Sequence, residues 1–259
     1  MLDLGANVET EFSPIKFTKA MWKLSALDYL MISHPHVDHI RDITNLDQLP
    51  PKVFRRRSIE ERKLIPANVS VSDRAILEAY LKIDASYNEP VSPELDPTSS
   101  SWNTGGYFSS FSTDADWETD SNNTSIVTFF KLANFTFLYP GDIESRGWEM
   151  LLKNRNFVSD LKTTWFFVAS HHGREVGFSQ EVMKIAQPGL VIISDSWFKD
   201  TSVTSRYSNE ASGFNVEDNN KQVTEKRKVI STRNDGRIII DVYHDGTNAS
   251  AHVNVKLSS

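Results

Sequence analysis

Three histidines and an aspartate fall within six residues of this chain: His34, His36, Asp38 and His39. Imidazole nitrogens and carboxylate oxygens are good ligands for zinc and similar divalent ions. Side chains two apart in an extended segment project to the same side, so His34 and His36 are predicted to bind one ion together. Asp38 and His39 lie further round the turn and are candidates for a second ion. The alternative, a polar loop rich in histidine, is disfavoured because the chain has only 7 His in 259 residues.

The residues around this cluster predict the elements that position it. The apolar run 27–32 is typical of a buried strand, and residues 38–43 resemble the opening of a helix. The cluster is therefore expected in a tight loop at the C-terminal end of a strand. Elsewhere the pattern predicts helices over 72–83, 143–153 and 179–186, and strands over 122–130, 135–139, 163–170, 190–195 and 237–242.

The pattern His34-x-His36-x-Asp38-His39 resembles the signature of the metallo-β-lactamase fold superfamily. The resemblance implies an α+β fold, the αββα sandwich, in which two mixed sheets pack face to face with helices outside. It also implies one or two metal ions between the sheets. Asp3 matches an Asp-x-Gly element of the superfamily and is expected to support the ligand loop by hydrogen bonding. A fold does not dictate a reaction, so lactamase, thioesterase, nuclease and phosphodiesterase remain open.

The second half of the chain supplies further ligand candidates. Asp142 follows the predicted hairpin, and in the superfamily an aspartate after such a hairpin bridges both metal ions. The strand 163–170 ends on His171 and His172, one of which is expected to complete the metal site. His171 is favoured because it comes first after the strand, which leaves His172 as an outer partner or as a proton donor to the leaving group.

Further details indicate a branch of the superfamily. Lactamases and glyoxalase-type thioesterases place a histidine before the second-half strand, but here the matching stretch is 122–125. With Gly-Asp142, the His-His-Gly at 171–173 and Thr232 before Gly236, the chain resembles the metallo-β-lactamase-like domain of ComEC-type competence (DNA-internalisation) proteins. The resemblance extends over about residues 1–45 and 120–242. It implies metal-dependent hydrolysis of phosphodiesters in DNA or another nucleotide substrate.

This resemblance implies two divalent metal ions, zinc or manganese, with a bridging hydroxide as nucleophile. The expected metal ligands are His34, His36, Asp38, His39, Asp142 and His171. The candidate catalytic residues are Asp38, Asp142 and His172. The candidate substrate-binding residues are Asn122, Ser125, Thr232 and Arg233, of which Asn122 replaces the missing histidine as a weak ligand or a donor to a phosphate oxygen.

Two other functions remain open from the sequence. The same centre could hydrolyse an ester, thioester or lactam, and such an acyl substrate would not need the adjacent arginines 55–57. A non-catalytic metal-binding module is the third hypothesis. It is disfavoured because a structural zinc site needs only four closed ligands, whereas this chain offers more.

Composition indicates an ordinary soluble globular protein, with 39% hydrophobic and 24% charged residues. We expect a single domain over 1–259, with an elaborated or inserted segment at about 48–121. The net charge of −6 disfavours extended binding to duplex nucleic acid. The chain has no cysteine, no apolar run of membrane-spanning length and no secretion signal, so we expect a cytoplasmic protein without membrane contact. The oligomeric state is left open.

Overall fold

The structure is a computed structural model that describes residues 1–7, 10–99, 101–102, 106–195, 203–245 and 247–257. Residues 100 and 103–105 of the predicted inserted segment lie outside these ranges. The chain divides into two compact units. Unit 1 comprises Met1–Asn103 and Asp114–Ile126, and unit 2 comprises Thr104–Thr113 and Val127–Ser259. The single domain stays a prediction.

Unit 1 is mainly helical, with one short parallel pair of strands. Its strands are β1 (Leu30–Met31) and β2 (Phe54–Arg55). Its helices are α1 (Pro14–Trp22), α2 (Val37–Ile40), α3 (Glu61–Leu64), α4 (Val71–Ser86) and α5 (Trp117–Asp120), with 3-10 helices at Arg41–Gln48 and Asn122–Thr124. The helix predicted over 72–83 is confirmed within α4, where Ser70 accepts a hydrogen bond from the Asp73 amide as N-cap.

The core of unit 1 positions the histidine loop. Leu30 and Ile32 are fully buried beside Ile40, and Leu77 and Tyr80 of α4 pack into the same cluster. The loop at 33–36 therefore leaves a buried strand and enters α2 at a fixed place, as the sequence predicts. The regular strand is shorter than the predicted 27–32, because only Leu30–Met31 pairs continuously with β2.

Unit 2 contains two mixed sheets. Its strands are β3 (Gly106–Phe111), β4 (Val127–Leu132), β5 (Phe135–Tyr139), β6 (Thr164–Val168), β7 (Leu190–Ile193), β8 (Phe214–Asp218), β9 (Val223–Arg227), β10 (Val229–Ser231), β11 (Arg237–His244) and β12 (Ala249–Lys256). Its helices are α6 (Ser145–Leu151), α7 (Arg155–Leu161), α8 (Gln180–Ala186), α9 (Thr204–Glu210) and α10 (Thr232–Asp235), with 3-10 helices at Ser170–Gly173 and Glu175–Gly177.

The six-stranded sheet has the order β10-β7-β6-β5-β4-β3, and the four-stranded sheet has the order β11-β12-β8-β9. Strands β5, β6, β7 and β10 are parallel, whereas β3, β4 and β5 are antiparallel. Strand β3 lies within the predicted inserted segment and was not predicted. It joins the sheet by pairing with β4.

The two faces of the six-stranded sheet are covered differently. Phe166 and Phe167 are successive residues of β6 and point to opposite faces. Phe166 packs with Val216 and Val253 of the four-stranded sheet, so the two sheets lie face to face. Phe167 packs with side chains of α6 to α9, among them Trp148 of α6. An α+β fold with mixed sheets is thus confirmed, and no helix in the described ranges is long and apolar enough to cross a membrane.

Candidate metal-binding clusters

Unit 1 gathers the three histidines of the sequence motif. His34 Nε2 lies 2.9 Å from His36 Nδ1, so the two rings direct a nitrogen to one point, as their spacing predicts. Ring nitrogens of His34 and His39 also lie within 4.8 Å of each other. His34 and His39 are buried, and His36 is half-buried. Three imidazoles brought this close in neutral form suit a divalent cation.

A carboxylate behind the cluster fixes the orientation of His39. Asp3 Oδ2 lies 2.6 Å from His39 Nδ1 and also accepts the Ser33 hydroxyl at 2.6 Å, while Asp3 Oδ1 accepts the Ser33 amide at 2.6 Å. Asp3 itself is buried and adopts a left-handed backbone conformation, with φ 56°. Because an ionised carboxylate only accepts, it places the proton of neutral His39 on Nδ1, and Nε2 then carries the lone pair. This supports the expected role of Asp3.

Asp38 lies on the solvent-exposed side of the histidine cluster. It lies in the first turn of α2 and is exposed, and one of its carboxylate oxygens is within 4.8 Å of a His39 nitrogen. The structure therefore brings Asp38 and His39 together, as expected for ligands of a second ion. Asp38 is exposed to solvent, whereas His39 is buried. A metal ion bound by these two residues would therefore be accessible from the side of Asp38.

Two of the predicted substrate-binding residues lie behind His34. Ser125 is fully buried, and its hydroxyl is 3.3 Å from His34 Nδ1 and bonds the Asn122 carbonyl at 2.7 Å. A fully buried hydroxyl cannot reach a substrate directly, so these contacts favour a positioning role for Ser125. Asn122 opens the 3-10 helix that Ser125 directly follows, and the proposed role of the Asn122 side chain stays a prediction.

An aromatic ring packs on His36. The Trp117 and His36 ring centroids are 5.1 Å apart, and the Trp117 Nε1–H donates to the Lys63 carbonyl at 3.0 Å. Lys63 Nζ also pairs with Glu118 at 3.1 Å, which raises the pKa of the lysine. Part of the predicted inserted segment thus holds an indole against a candidate ligand.

Unit 2 forms the second cluster around Asp142. Strand β5 ends at Tyr139, and Gly141 with φ 61° turns the chain so that its carbonyl accepts the His171 amide at 3.1 Å. Asp142 is buried, and its Oδ2 lies 3.7 Å from His171 Nε2 and 3.9 Å from His172 Nε2. The structure therefore brings together the three ligand candidates that the second half supplies.

The backbone at this point is in a costly conformation. His171 and His172 both lie in the left-handed region, with φ 49° and 56°, and Gly173 follows at φ 75°. Two successive non-glycine residues in this region cost roughly 1–2 kcal/mol each. Strain of this kind persists only where surrounding contacts fix it, and it is concentrated at functional sites.

The contacts of His171 engage both ring nitrogens. Arg174 Nη1 lies 2.7 Å from His171 Nε2, and Glu144 Oε1 lies 3.1 Å from Nδ1. A guanidinium only donates, so Nε2 accepts and the proton of the neutral ring is on Nδ1; the approach of Glu144 to Nδ1 does not have the geometry of a hydrogen bond. Burial lowers the pKa of His171, against the opposing effect of Asp142. A metal ion at Nε2 would have to replace Arg174.

His172 is oriented differently. Its Nδ1 lies 2.8 Å from the Ser194 carbonyl, which only accepts, so the proton of the neutral ring is on Nδ1 and Nε2 carries the lone pair. That lone pair lies on the side of Asp142. A ring held by a backbone carbonyl through its other nitrogen is the usual arrangement of a metal-binding histidine. The geometry thus favours His172 over His171, the opposite of the order expected from the sequence.

The remaining predicted substrate contacts, Thr232 and Arg233, both bind Asp195. The Thr232 hydroxyl donates to the Asp195 carbonyl and accepts its amide, both at 2.9 Å, and Arg233 Nε is 3.3 Å from Asp195 Oδ2. Burial raises the pKa of Asp195, which Arg233 opposes. Together these contacts fix the end of β7, which carries the Ser194 carbonyl that orients His172.

Sequence reasoning missed Glu144, Arg174 and Asp195. Each lies within three residues of a recognised motif or at the end of a predicted strand, and that proximity was the only available signal. No family model matches the chain, and no curated protein matches it.

Proposed function

We propose that this chain is a metal-dependent hydrolase of the αββα metallo-β-lactamase-like type, acting on phosphodiesters. The face-to-face sheets of unit 2, with helices on the far side of one sheet, support the sandwich. The motif of unit 1 and the order of the ligand candidates support the family.

One observation carries the metal assignment. In both units a histidine beside the candidate ligands has its Nδ1 held by an oxygen that only accepts: the Asp3 carboxylate for His39, and the Ser194 carbonyl for His172. This outer contact fixes the tautomer and directs Nε2 as the ligand atom, and metal-binding histidines almost always have it.

The donor set consists of imidazoles and carboxylates and fits zinc or manganese. Residues that would hold two divalent ions are His34, His36, Asp38, His39, Asp142 and His172. The family resemblance implies a dinuclear centre for ligands of these types. Bound divalent ions would lower the pKa of water towards neutrality and so supply a nucleophile.

The other residues of the clusters have supporting roles. Asp3 fixes the His39 tautomer, and Ser33 and Ser125 lie within 3.3 Å of His34 Nδ1 and hold its ring. Arg174 bonds His171, which in turn lies next to Asp142. The positive charge of Arg174 is therefore available to balance a substrate anion. His171 is therefore proposed as a positioning residue between Asp142 and Arg174.

The experiment removes bound metal, restores zinc or manganese and follows hydrolysis of bis(p-nitrophenyl) phosphate and of labelled single-stranded DNA. We expect metal-dependent cleavage that Asp142→Ala abolishes, together with loss of metal binding. Asp218→Asn is the matched control, because Asp218 is an equally buried carboxylate of unit 2 that bonds Lys221. Full activity of Asp142→Ala would refute the assignment.

A second candidate is hydrolysis of an ester, thioester or lactam at the same residues. The contacts of Arg56 and Arg57 favour such an acyl substrate. Arg56 bonds the Asp84 side chain and the Tyr87 carbonyl, and Arg57 donates to the Ala115 carbonyl at 2.6 Å. These two arginines serve internal contacts and do not form a phosphate-binding group. Two bound metal ions with turnover of acyl substrates only would select this candidate.

A further inference from the structure

Helix α1 and its flanks expose an unusual amount of aromatic and aliphatic surface. Phe12 is 45% exposed, Met21 46% and Trp22 60%, and Leu24 is exposed at 39%. Large apolar side chains exposed together mark interaction sites more often than isolated ones do. We call this group, with Phe17 and the lysines described next, the α1 patch.

The aromatic rings of the α1 patch contact one another in series. Phe12 and Phe17 have ring centroids 5.5 Å apart, and Phe17 meets Trp22 edge-on at 6.2 Å. These contacts hold the Trp22 ring in place while it keeps most of its surface in solvent. A fixed, exposed indole can stack on another planar ring.

The α1 patch also carries a concentration of positive charge. Lys16, Lys19 and Lys23 are all exposed. Lys16 and Lys19 lie three residues apart on one side of α1, and Lys23 is the C-cap of the same helix. No acidic residue occurs between Glu11 and Asp28. In a chain of net charge −6, this is a local cationic surface that fits an anionic partner.

The helix is anchored next to the histidine cluster. Asp42 Oδ2 accepts the Ser13 hydroxyl at 2.7 Å and the Ile15 amide at 2.8 Å, and Ile15 is fully buried. Asp42 follows His39 by three residues, so the start of α1 is fixed about one helical turn from a candidate metal ligand of the same unit. The α1 patch and the histidine cluster therefore belong to the same compact unit.

We propose that the α1 patch binds single-stranded nucleic acid, with Trp22 and the phenylalanines stacking on bases and the three lysines contacting phosphates. This inference rests on the proposed phosphodiesterase function and narrows its substrate to a polymer. Aromatic platforms interleaved with cations are the usual surface for single strands, because every base has a face to stack on. An anionic lipid surface would share the charge complementarity, and the vesicle measurement below separates it from a nucleic acid.

The test measures binding of a labelled oligothymidylate by fluorescence anisotropy, in EDTA so that no cleavage occurs. We expect Trp22→Ala to weaken binding by about tenfold or more, since stacking on one base contributes substantially. Replacing Lys16, Lys19 and Lys23 by glutamine should reduce the slope of log affinity against log salt by about 2, at about 0.7 for each phosphate contact of a single strand.

The matched control combines Tyr243→Ala with Lys256→Gln, which removes an exposed aromatic ring and an exposed lysine from the four-stranded sheet. We expect this control to bind as the unmodified protein does. Equal affinities of all variants would overturn the proposal, as would binding of phosphatidylserine vesicles in place of the oligonucleotide.

The two proposals fail separately. Oligonucleotide binding that depends on the α1 patch, with no cleavage of bis(p-nitrophenyl) phosphate by the metal-loaded protein, would refute the phosphodiesterase and leave the binding surface. Cleavage of bis(p-nitrophenyl) phosphate without oligonucleotide binding would refute the binding surface and leave the phosphodiesterase.

Discussion

Replacing Asp3 by asparagine tests how the histidine cluster is organised. Asp3 bonds the Ser33 amide, the Ser33 hydroxyl and His39 Nδ1, each at 2.6 Å. An asparagine that keeps its oxygen on the Ser33 amide must turn its NH₂ group towards His39. Two donors would then face each other unless the His39 proton moves to Nε2. That tautomer removes the lone pair proposed to bind metal.

The expected loss of metal affinity follows from the loss of the contact between Asp3 and His39 Nδ1. Removing the outer partner of a metal-binding histidine costs about 10- to 100-fold in metal affinity, which is about 1.4–2.7 kcal/mol. Because Asp3 is buried, weakening its hydrogen bonds should also lower the free energy of unfolding by about 1–3 kcal/mol. Both effects should therefore appear in one variant.

Asp42→Asn separates metal affinity from general destabilisation. Asp42 is buried in the same unit and accepts three hydrogen bonds, from the Ser13 hydroxyl, the Ile15 amide and the Asn45 side chain, but bonds no histidine in the described ranges. Calorimetric titration of each metal-free variant with zinc gives the affinity, and urea unfolding gives the stability. Both variants should lose stability, whereas only Asp3→Asn should lose affinity. An unchanged zinc affinity for Asp3→Asn would refute the proposed tautomer control.

Three further outcomes are expected. His172→Ala should lower divalent-metal affinity by about tenfold or more in calorimetric titration, because the Ser194 carbonyl directs Nε2 of His172 as a ligand. Equal affinities of the variant and the unmodified protein would exclude His172 as a ligand. Gly236→Ala should destabilise the protein by about 2 kcal/mol or more in urea unfolding, because φ is +72° and a Cβ would clash with the Lys256 carbonyl; a smaller loss would contradict that packing. Burial raises the pKa of Tyr29 from 10.0 to about 12. The contribution of the neutral Tyr29 to the free energy of unfolding is therefore complete below pH 10.0 and is lost as pH rises to about 12. Tyr29→Phe should therefore flatten the alkaline decline in unfolding free energy, and an identical decline would contradict the burial argument.

Local pattern was sufficient for the elements around the ligand candidates. The β5 strand runs over 135–139, as the sequence predicts, and α8 begins one residue after its predicted Ser179 start because Ser179 is the N-cap. Such elements are encoded by neighbouring residues, through hydrophobic period and capping. The same holds for His34 and His36, whose convergence follows from their spacing, whereas the approach of His39 to His34 was not predicted.

Strands that depend on distant partners were not predictable in this way. β3 lies in a stretch rich in serine, aspartate and glycine, and it becomes a strand because Gly106 to Phe111 pair with β4. β8 and β9 are another example, since Val216 is the buried side chain that packs β8 against the six-stranded sheet, while β9 is almost wholly exposed. Tertiary contacts override weak local preference at such positions.

The choice between His171 and His172 shows where sequence order stops being informative. From the sequence, His171 is expected to face the ligands because it is the first residue after the predicted strand 163–170. In the structure β6 ends at Val168, and both histidines adopt left-handed backbone conformations, so the alternation of a strand does not apply to them. Arg174 then bonds Nε2 of the His171 ring, and the Ser194 carbonyl bonds Nδ1 of the His172 ring. Which ring presents a lone pair is therefore set by two groups that the His-His-Gly motif does not contain. A motif can predict that one histidine of a pair binds metal, but the hydrogen-bond partners decide which one does.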